Sequence, residues 1–334
     1  MLPVSNLENI PSVAELNRDT ESFVIQAAAA RSMFFNDPYE PLQFVHFSDV
    51  HAVPELWERI VSYINQYNEF IPFALHTGDY CGGSQQEYVD FYNQCTPCVR
   101  PILNCVGNHD TRESDEHPTS TKETVHGLLF GKKEEWDASF MPGENSMTYY
   151  KDFPQANVRL VVLDCYFDVP QQLVWMRQIL EEAREKELHI ITASHEITHS
   201  IVEKQPVTFQ TLDDFESLGG NRVQHPFDQE IAAFKTAGGI HICHLAGHEH
   251  SDMFGYTQRG VLNVAVECAT NWPHWCDGTR IRGSRTYDCF NVVSVDVNQN
   301  LLKLVRIGNN ADHYLRIKRV LCYDYKKNSV IYNG

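Results

Sequence analysis

Five short polar segments, each directly after an apolar run, carry residue types that bind metal ions in proteins. They supply carboxylate, imidazole and amide groups, which together suit a pair of divalent metal ions. One such segment would mean little, but five in one chain are hard to obtain by chance. In chain order the segments are Asp49-Val50-His51, Gly78-Asp79, Gly107-Asn108-His109-Asp110, His195 and Gly247-His248-Glu249-His250.

Each segment also has an ordinary structural interpretation when it is taken alone. An Asp at a strand end is often a turn or helix N-cap residue, and Gly-Asp is a common turn. A single buried His is more often a hydrogen-bonded core residue than a ligand, and a His-x-His pair can be a surface edge. These interpretations require five independent polar clusters, all at strand ends, with no shared purpose. We therefore favour one common site.

Predicted strands and helices alternate along the part of the chain that carries the first three segments. Apolar runs end at Asp49, Asp79 and Asn108, and amphipathic helices are predicted between them over residues 53–68 and 84–95. This order favours an α/β fold. Because ligands bind outside the carboxyl ends of strands in open α/β sheets, we expect the polar segments to converge on one edge. Glycines that let the chain turn sharply there are Gly78, Gly107 and Gly247.

The rest of the chain continues this alternation with two polar excursions. Residues 111–150 and 197–226 are polar and irregular in pattern. Between them we predict a hairpin, a helix that starts near Pro170, and a strand that ends at His195. Further strands follow, and the last of them form a C-terminal hairpin.

Composition and net charge argue against several classes of function. The chain has 334 residues, 43% of them hydrophobic, and a formal net charge of −17. The negative charge argues against an extended nucleic-acid surface and against binding to an anionic membrane, but metal ions can reverse the field in one pocket. No apolar run is long enough for a membrane span and no signal peptide is evident, so we expect a cytoplasmic protein. The ten cysteines show no disulfide framework, and Cys95-x-x-Cys98 is interpreted as unpaired thiols.

In combination, the motifs DxH, GD, GNHD, H and GHxH resemble the calcineurin-like metallophosphoesterase superfamily over about residues 43–308. The resemblance implies a four-layer αββα sandwich with two divalent metal ions (Mn, Fe or Zn) at the strand ends. The ligand sets that it implies are Asp49, His51, Asp79 and His250 for one metal, and Asp79, Asn108, His195 and His248 for the other.

The same resemblance implies hydrolysis of phosphate esters. A hydroxide that bridges two metals attacks phosphorus in line, so no protein nucleophile is needed. His109 resembles the family histidine that protonates the leaving oxygen or binds a phosphate oxygen; the alternative is that it only supports a ligand. Arg112 is a candidate clamp for a phosphate oxygen, or else a solvated or structural residue. A small phosphorylated substrate is expected, and phosphomonoester and phosphodiester both stay open, as does the oligomeric state.

The segment Gly78–Gly83 separates this chain from two branches of the superfamily. It lacks the second acid of the protein-phosphatase GDxxDRG motif and the tyrosine of the purple-acid-phosphatase GDxxY motif. The predicted organisation is an N-terminal helical extension at 1–40, a metallophosphoesterase domain at 41–310 and a C-terminal β-hairpin extension at 311–334. The alternative from another class is a scaffold or binding module that keeps the fold with a weak catalytic site.

Overall fold

The computed structural model describes residues 37–80, 97–111, 121–198, 201–203, 226–250, 252–269, 287–308 and 320–333. Its α-helices in these ranges are α1 (Pro54–Gln66), α2 (Lys122–Leu129), α3 (Val169–Glu185) and α4 (Phe227–Thr236). The strands are β1 (Leu42–Phe47), β2 (Ala74–His76), β3 (Ile102–Asn104), β4 (Ser139–Phe140), β5 (Tyr149–Phe153), β6 (Val158–Val162), β7 (His189–Ala193), β8 (Ile201–Glu203), β9 (Ile240–Ala246), β10 (Met253–Thr257), β11 (Leu262–Ala265), β12 (Cys289–Asp296), β13 (Leu301–Gly308), β14 (Val320–Asp324) and β15 (Ser329–Asn333).

The strands form two mixed sheets. The first has the order β15-β14-β13-β12-β1-β2-β3, and the second has the order β4-β5-β6-β7-β9-β11-β10-β8. Parallel pairing joins β1, β2 and β3 in the first sheet and β6, β7, β9 and β11 in the second. The parallel strands of each sheet therefore end at a common edge, which is where the polar segments follow them.

Strand β6 shows how the layers are stacked. Its side chains alternate, so that Leu160 and Val162 join the large core shared by the two sheets, whereas Val161 joins a second cluster under α3 and α4. Both faces of this strand are covered, which explains why it reads as a continuous apolar run. On the first sheet, Trp57 of α1 packs edge-on against Phe47, with ring centroids 5.9 Å apart. The chain thus has the predicted α/β sandwich of two sheets with flanking helices.

Within the excursion predicted at 111–150, the described part is more regular than expected. Helix α2 begins after Thr121, whose side chain accepts the backbone N–H of Thr124, and it buries Val125 and Leu129 at i, i+4 spacing. The prediction of irregular structure was wrong here because two apolar residues are too weak a pattern to identify a helix. Strand β10, directly after the GHEH segment, was also not predicted.

Other predictions lie at the ends of the chain or outside the described residues. Strands β14 and β15 form the C-terminal hairpin and extend the first sheet beyond β13. The predicted helices within 1–40 and 84–95 fall almost entirely on residues that the structure does not describe. No helix in the described ranges is long and apolar enough to cross a membrane.

Candidate metal centre

The predicted ligands lie together at the carboxyl ends of five parallel strands. Asp49 follows β1, Asp79 follows β2, Asn108 follows β3, His195 follows β7 and His248 follows β9. Each of these residues stands two to four positions beyond the end of its strand. The structure thereby brings together all seven residues that the sequence analysis selected as ligands.

The backbone at these positions is unusual. Five of the seven residues have a left-handed backbone conformation although none of the five is glycine, with φ between 48° and 65°. Such a conformation costs a side-chain-bearing residue on the order of 1 kcal/mol, and it persists only when surrounding contacts hold it. Strain of this kind concentrates at functional sites. The five residues are Asp49, His51, Asp79, His248 and His250.

A first cluster forms around Asp49 and the His51–His250 pair. His250 Nε2 lies 3.2 Å from Asp49 Oδ1 and 3.3 Å from His51 Nε2. His51 Nε2 in turn lies 3.9 Å from Asp49 Oδ1 and 4.0 Å from Asp79 Oδ2. One donor atom from each of the four residues lies within 4.8 Å of the others, which makes the cluster a candidate cation site.

A second cluster shares Asp79 with the first. His195 Nε2 lies 3.4 Å from Asp79 Oδ2, 3.0 Å from Asn108 Oδ1 and 3.2 Å from His248 Nδ1. His248 Nδ1 is also 3.0 Å from Asn108 Oδ1. Asp79, His195 and His248 form a separate group of mutually close donors, and Asn108 adds an amide oxygen beside them. Oδ2 of Asp79 therefore faces both clusters.

The donor set fits a pair of divalent cations. Bonds of about 2.0 to 2.2 Å to nitrogen and oxygen place adjacent ligand atoms roughly 3 to 3.5 Å apart and opposite ones at about 4.2 Å. The distances of 3.0 to 4.0 Å in the two clusters lie within that range. Asp49, Asp79 and His195 are also almost fully buried, and buried carboxylates of this kind are normally paired or metal-bound.

Burial and ion pairing have opposing effects on the pKa values of the carboxylates and imidazoles in the site. Burial alone would raise the pKa of Asp49 and of Asp79, but the neighbouring histidines together outweigh it and lower both pKa values. The largest contribution from a histidine comes from His250 for Asp49 and from His195 for Asp79. The carboxylates in return raise the pKa of His195 and His250 against the effect of burial. Burial lowers the pKa of His51 to about 4, so its imidazole is neutral at physiological pH. A divalent cation binds carboxylates and neutral imidazoles, so its binding would displace the protons that the carboxylates favour on His195 and His250.

At Gly107 and Gly247, neighbouring atoms approach the backbone too closely to leave space for a side chain. A Cβ on Gly107 would lie 2.2 Å from Asp79 Oδ1, and one on Gly247 would lie 1.8 Å from Ser48 Oγ. Only Gly78 among the three has a positive φ, at 101°. Sharp turns were predicted at all three glycines, but at Gly107 and Gly247 the requirement is space beside the carboxylates rather than backbone freedom.

Asp110 was missed as a functional residue, although it belongs to the GNHD segment. Its Oδ2 accepts the backbone N–H groups of Asp79 at 3.0 Å and Gly107 at 2.7 Å, and its Oδ1 accepts that of Tyr80 at 3.0 Å. The carboxylate thus holds the loops after β2 and β3 against each other. The carbonyl of Thr77 lies 2.6 Å from His195 Nδ1, which leaves Nε2 directed at the cluster.

His109 lies at the more open side of the first cluster. Its side chain is 17% exposed, and its Nε2 lies 3.9 Å from Asp79 Oδ2. Its ring meets that of His51 edge-on, with centroids 4.9 Å apart, while its backbone N–H donates to Asp79 Oδ1 at 2.8 Å. Arg112, the candidate phosphate clamp, lies outside the described residues. Next to His195, Oε1 of Glu196 accepts the hydroxyl of Tyr166 at 2.9 Å.

Comparison with known proteins identifies the family of this chain. The family model for Calcineurin-like phosphoesterase matches residues 42–252, which is more than half of the chain and includes every residue of the two clusters. The chain belongs to the calcineurin-like phosphoesterase family. No curated protein matches it.

Several solved structures are similar to this chain. A dimetal phosphatase from Danio rerio has 14% identity and a TM-score of 0.56, covering 81% of this chain and 97% of its own. A purple acid phosphatase from yellow lupin seeds has 15% identity and a TM-score of 0.47, covering 88% and 53%. GAP50, described as the anchor in the inner membrane complex of Plasmodium, has 13% identity and a TM-score of 0.47, covering 88% of both chains. At these identities the likeness concerns the fold alone.

Proposed function

We propose that this protein is a metal-dependent hydrolase of phosphate esters with a binuclear centre. The observation that carries the proposal is the position of Asp79, whose Oδ2 is shared by two adjacent groups of buried donors. One group would be completed by Asp49, His51 and His250, and the other by Asn108, His195 and His248. When bound, two divalent cations (Mn²⁺, Fe²⁺ or Zn²⁺ suit these N and O donors) lower the pKa of water and offset charge on phosphate oxygens.

The side chains around the clusters would position these groups and the substrate. Asp79 Oδ1 accepts the backbone N–H of His109, and Oδ2, which lies near both clusters, is the oxygen that Asp79 would offer to the cations. Thr77 fixes the ring of His195 through its carbonyl, and the carboxylate of Asp49 accepts the backbone N–H of His248 at 3.0 Å. These contacts hold the donors in place before any ligand binds, which reduces reorganisation during the reaction.

His109 would act on the substrate rather than on the metals. Its partly exposed ring stands beside the first cluster, so that an Nε2–H can reach a phosphate oxygen or donate a proton to the leaving oxygen. His109→Gln is expected to lower kcat for a substrate with a basic leaving group more than for p-nitrophenyl phosphate, with unchanged metal content. An equal loss on both substrates would assign His109 to phosphate binding instead of proton transfer.

Turnover assays with defined metal content test the proposal. The protein, loaded in turn with Mn²⁺, Fe²⁺ and Zn²⁺, is offered p-nitrophenyl phosphate and bis-p-nitrophenyl phosphate, and bound metal is counted by mass spectrometry. Asp79→Asn and His195→Ala are expected to abolish turnover with the fold retained. Asp137→Asn, at a carboxylate whose side chain is 99% exposed, and His126→Ala are matched controls expected to keep activity. Two bound metals without turnover of either ester would overturn the hydrolase and favour a scaffold role.

A further inference from the structure

A thiol lies beside the first cluster and belongs to none of the motifs. Cys268 is fully buried, and its Sγ forms a group with one ring nitrogen each of His51 and His250 in which all atoms lie within 4.8 Å of one another. We propose that Cys268 is a further ligand of the cation held by Asp49, His51, Asp79 and His250, and that its sulfur biases this position toward Zn²⁺ or Fe²⁺ over Mn²⁺. The inference rests on the metal-dependent function proposed above.

The geometry is close to what one ion can span. A bond of about 2.3 Å to sulfur and one of about 2.1 Å to nitrogen place the two ligand atoms at most about 4.4 Å apart. The ligand atoms of Cys268, His51 and His250 lie within 4.8 Å of one another, and the same two histidines also group with Asp49 and Asp79. A shift of the thiol toward the imidazoles would complete the contact with one shared ion. The Sγ now donates to the backbone carbonyl of Asp49, a residue of the first cluster, at 3.2 Å. Coordination releases the thiol proton to water and involves no redox change.

The backbone around Cys268 is anchored to both neighbouring loops. The N–H of Val266 donates to Ala246 at 3.0 Å, and that of Ala269 donates to Ser48 at 2.9 Å, so residues 266–269 connect the ends of β9 and β1. Cys268 is buried whereas the His109 side chain is 17% exposed, so the thiol approaches from the protein interior. That approach leaves the exposed side of the cation free for a phosphate ester.

The other cysteines in the described residues have no such environment. A buried thiol is ordinarily a small apolar side chain, and Cys105 and Cys243 fit that description within the large core. Among the seven cysteines that the structure describes, only Cys268 belongs to a group of donors that can hold a cation. Thiolate is a softer ligand than imidazole or carboxylate, and it therefore favours zinc or iron over manganese.

Cobalt substitution tests the inference with a readout that is independent of activity. The metal-free full-length protein is titrated with Co²⁺, and a thiolate-to-cobalt charge-transfer band is expected in the near ultraviolet. The band should be lost in Cys268→Ser and Cys268→Ala and retained in Cys243→Ala, which removes a buried thiol outside both clusters. The ratio of the Zn²⁺ to the Mn²⁺ dissociation constant should also rise in Cys268→Ser. A band that persists in Cys268→Ser would overturn the inference.

Wild-type protein alone supplies a second measurement that does not depend on a folded variant. X-ray absorption of the zinc-loaded form should show a sulfur neighbour at about 2.3 Å in addition to nitrogen and oxygen. Zinc bound with nitrogen and oxygen neighbours only would refute sulfur ligation while leaving the binuclear hydrolase intact. Failure to bind two metals at all would overturn both proposals, so the two failures are distinguishable.

Discussion

Asp110 provides a quantitative test of how the loops after β2 and β3 are held. Its carboxylate is 4% exposed and accepts three backbone N–H groups, at 2.7, 3.0 and 3.0 Å. Three hydrogen bonds to a charged acceptor, at about 2 kcal/mol each, stabilise this arrangement by about 6 kcal/mol, whereas an Asn keeps at most two neutral bonds of about 1 kcal/mol each. Asp110→Asn is therefore expected to cost about 4 kcal/mol in total.

That loss divides between two measurable quantities, because the loops can open locally or the whole protein can unfold. Urea denaturation of the metal-free protein gives the free energy of unfolding, and calorimetry gives the metal affinity, in which each tenfold change is about 1.4 kcal/mol. The two losses should sum to about 4 kcal/mol. Asp137→Asn makes the same chemical change at an exposed side chain and should alter neither quantity. If both quantities stay within about 0.5 kcal/mol of wild type in Asp110→Asn, the clamp does not exist.

Three further predictions concern other buried residues. Arg306→Met leaves two buried carboxylates without their cation and should lower the free energy of unfolding by about 3 to 5 kcal/mol; an unchanged urea midpoint would contradict this. Burial raises the pKa of Asp164 from 3.8 to about 7, so its proton contributes stability at low pH that is lost as the pH rises through this window. Thermal unfolding should show Asp164→Asn gaining stability relative to wild type between about pH 4 and pH 7, and a constant difference would count against a protonated carboxyl group. Gly247→Ala places a Cβ 1.8 Å from Ser48 Oγ and should weaken metal binding, whereas Gly127→Ala, with nothing within 4 Å of its Cβ, should not; equal affinities in calorimetry would contradict the argument.

The elements with a strong local pattern were predictable. Helix α1 buries Leu56, Ile60 and Ile64 as its periodicity indicated. Helix α2 and strand β10 were not identified, because short elements owe their conformation to packing in the assembled core rather than to their own sequence. Local sequence also did not show why the three glycines beside the site are needed. Only Gly78 has a positive φ, whereas Gly107 and Gly247 are required because neighbouring atoms leave no space for a side chain.

The candidate site likewise depends partly on local sequence and partly on tertiary structure. The sequence by itself determined which donors are present and after which strands they stand, because apolar runs and the polar residues that end them are local features. Only the tertiary structure decided which donors meet. Parallel pairing of β1 with β2 and of β7 with β9 sets the distances, and it turns Oδ2 of Asp79 toward both clusters.

Cys268 is a candidate ligand that local sequence patterns could not identify. It stands 18 residues after His250, outside every motif, and nothing around it in the sequence marks it as a ligand. It reaches the cluster because β9 and β11 pair in parallel and so end side by side at the edge where β1 also ends. A contact of this kind depends on the order of strands in the sheet, which cannot be inferred from residue types and their spacing along the chain.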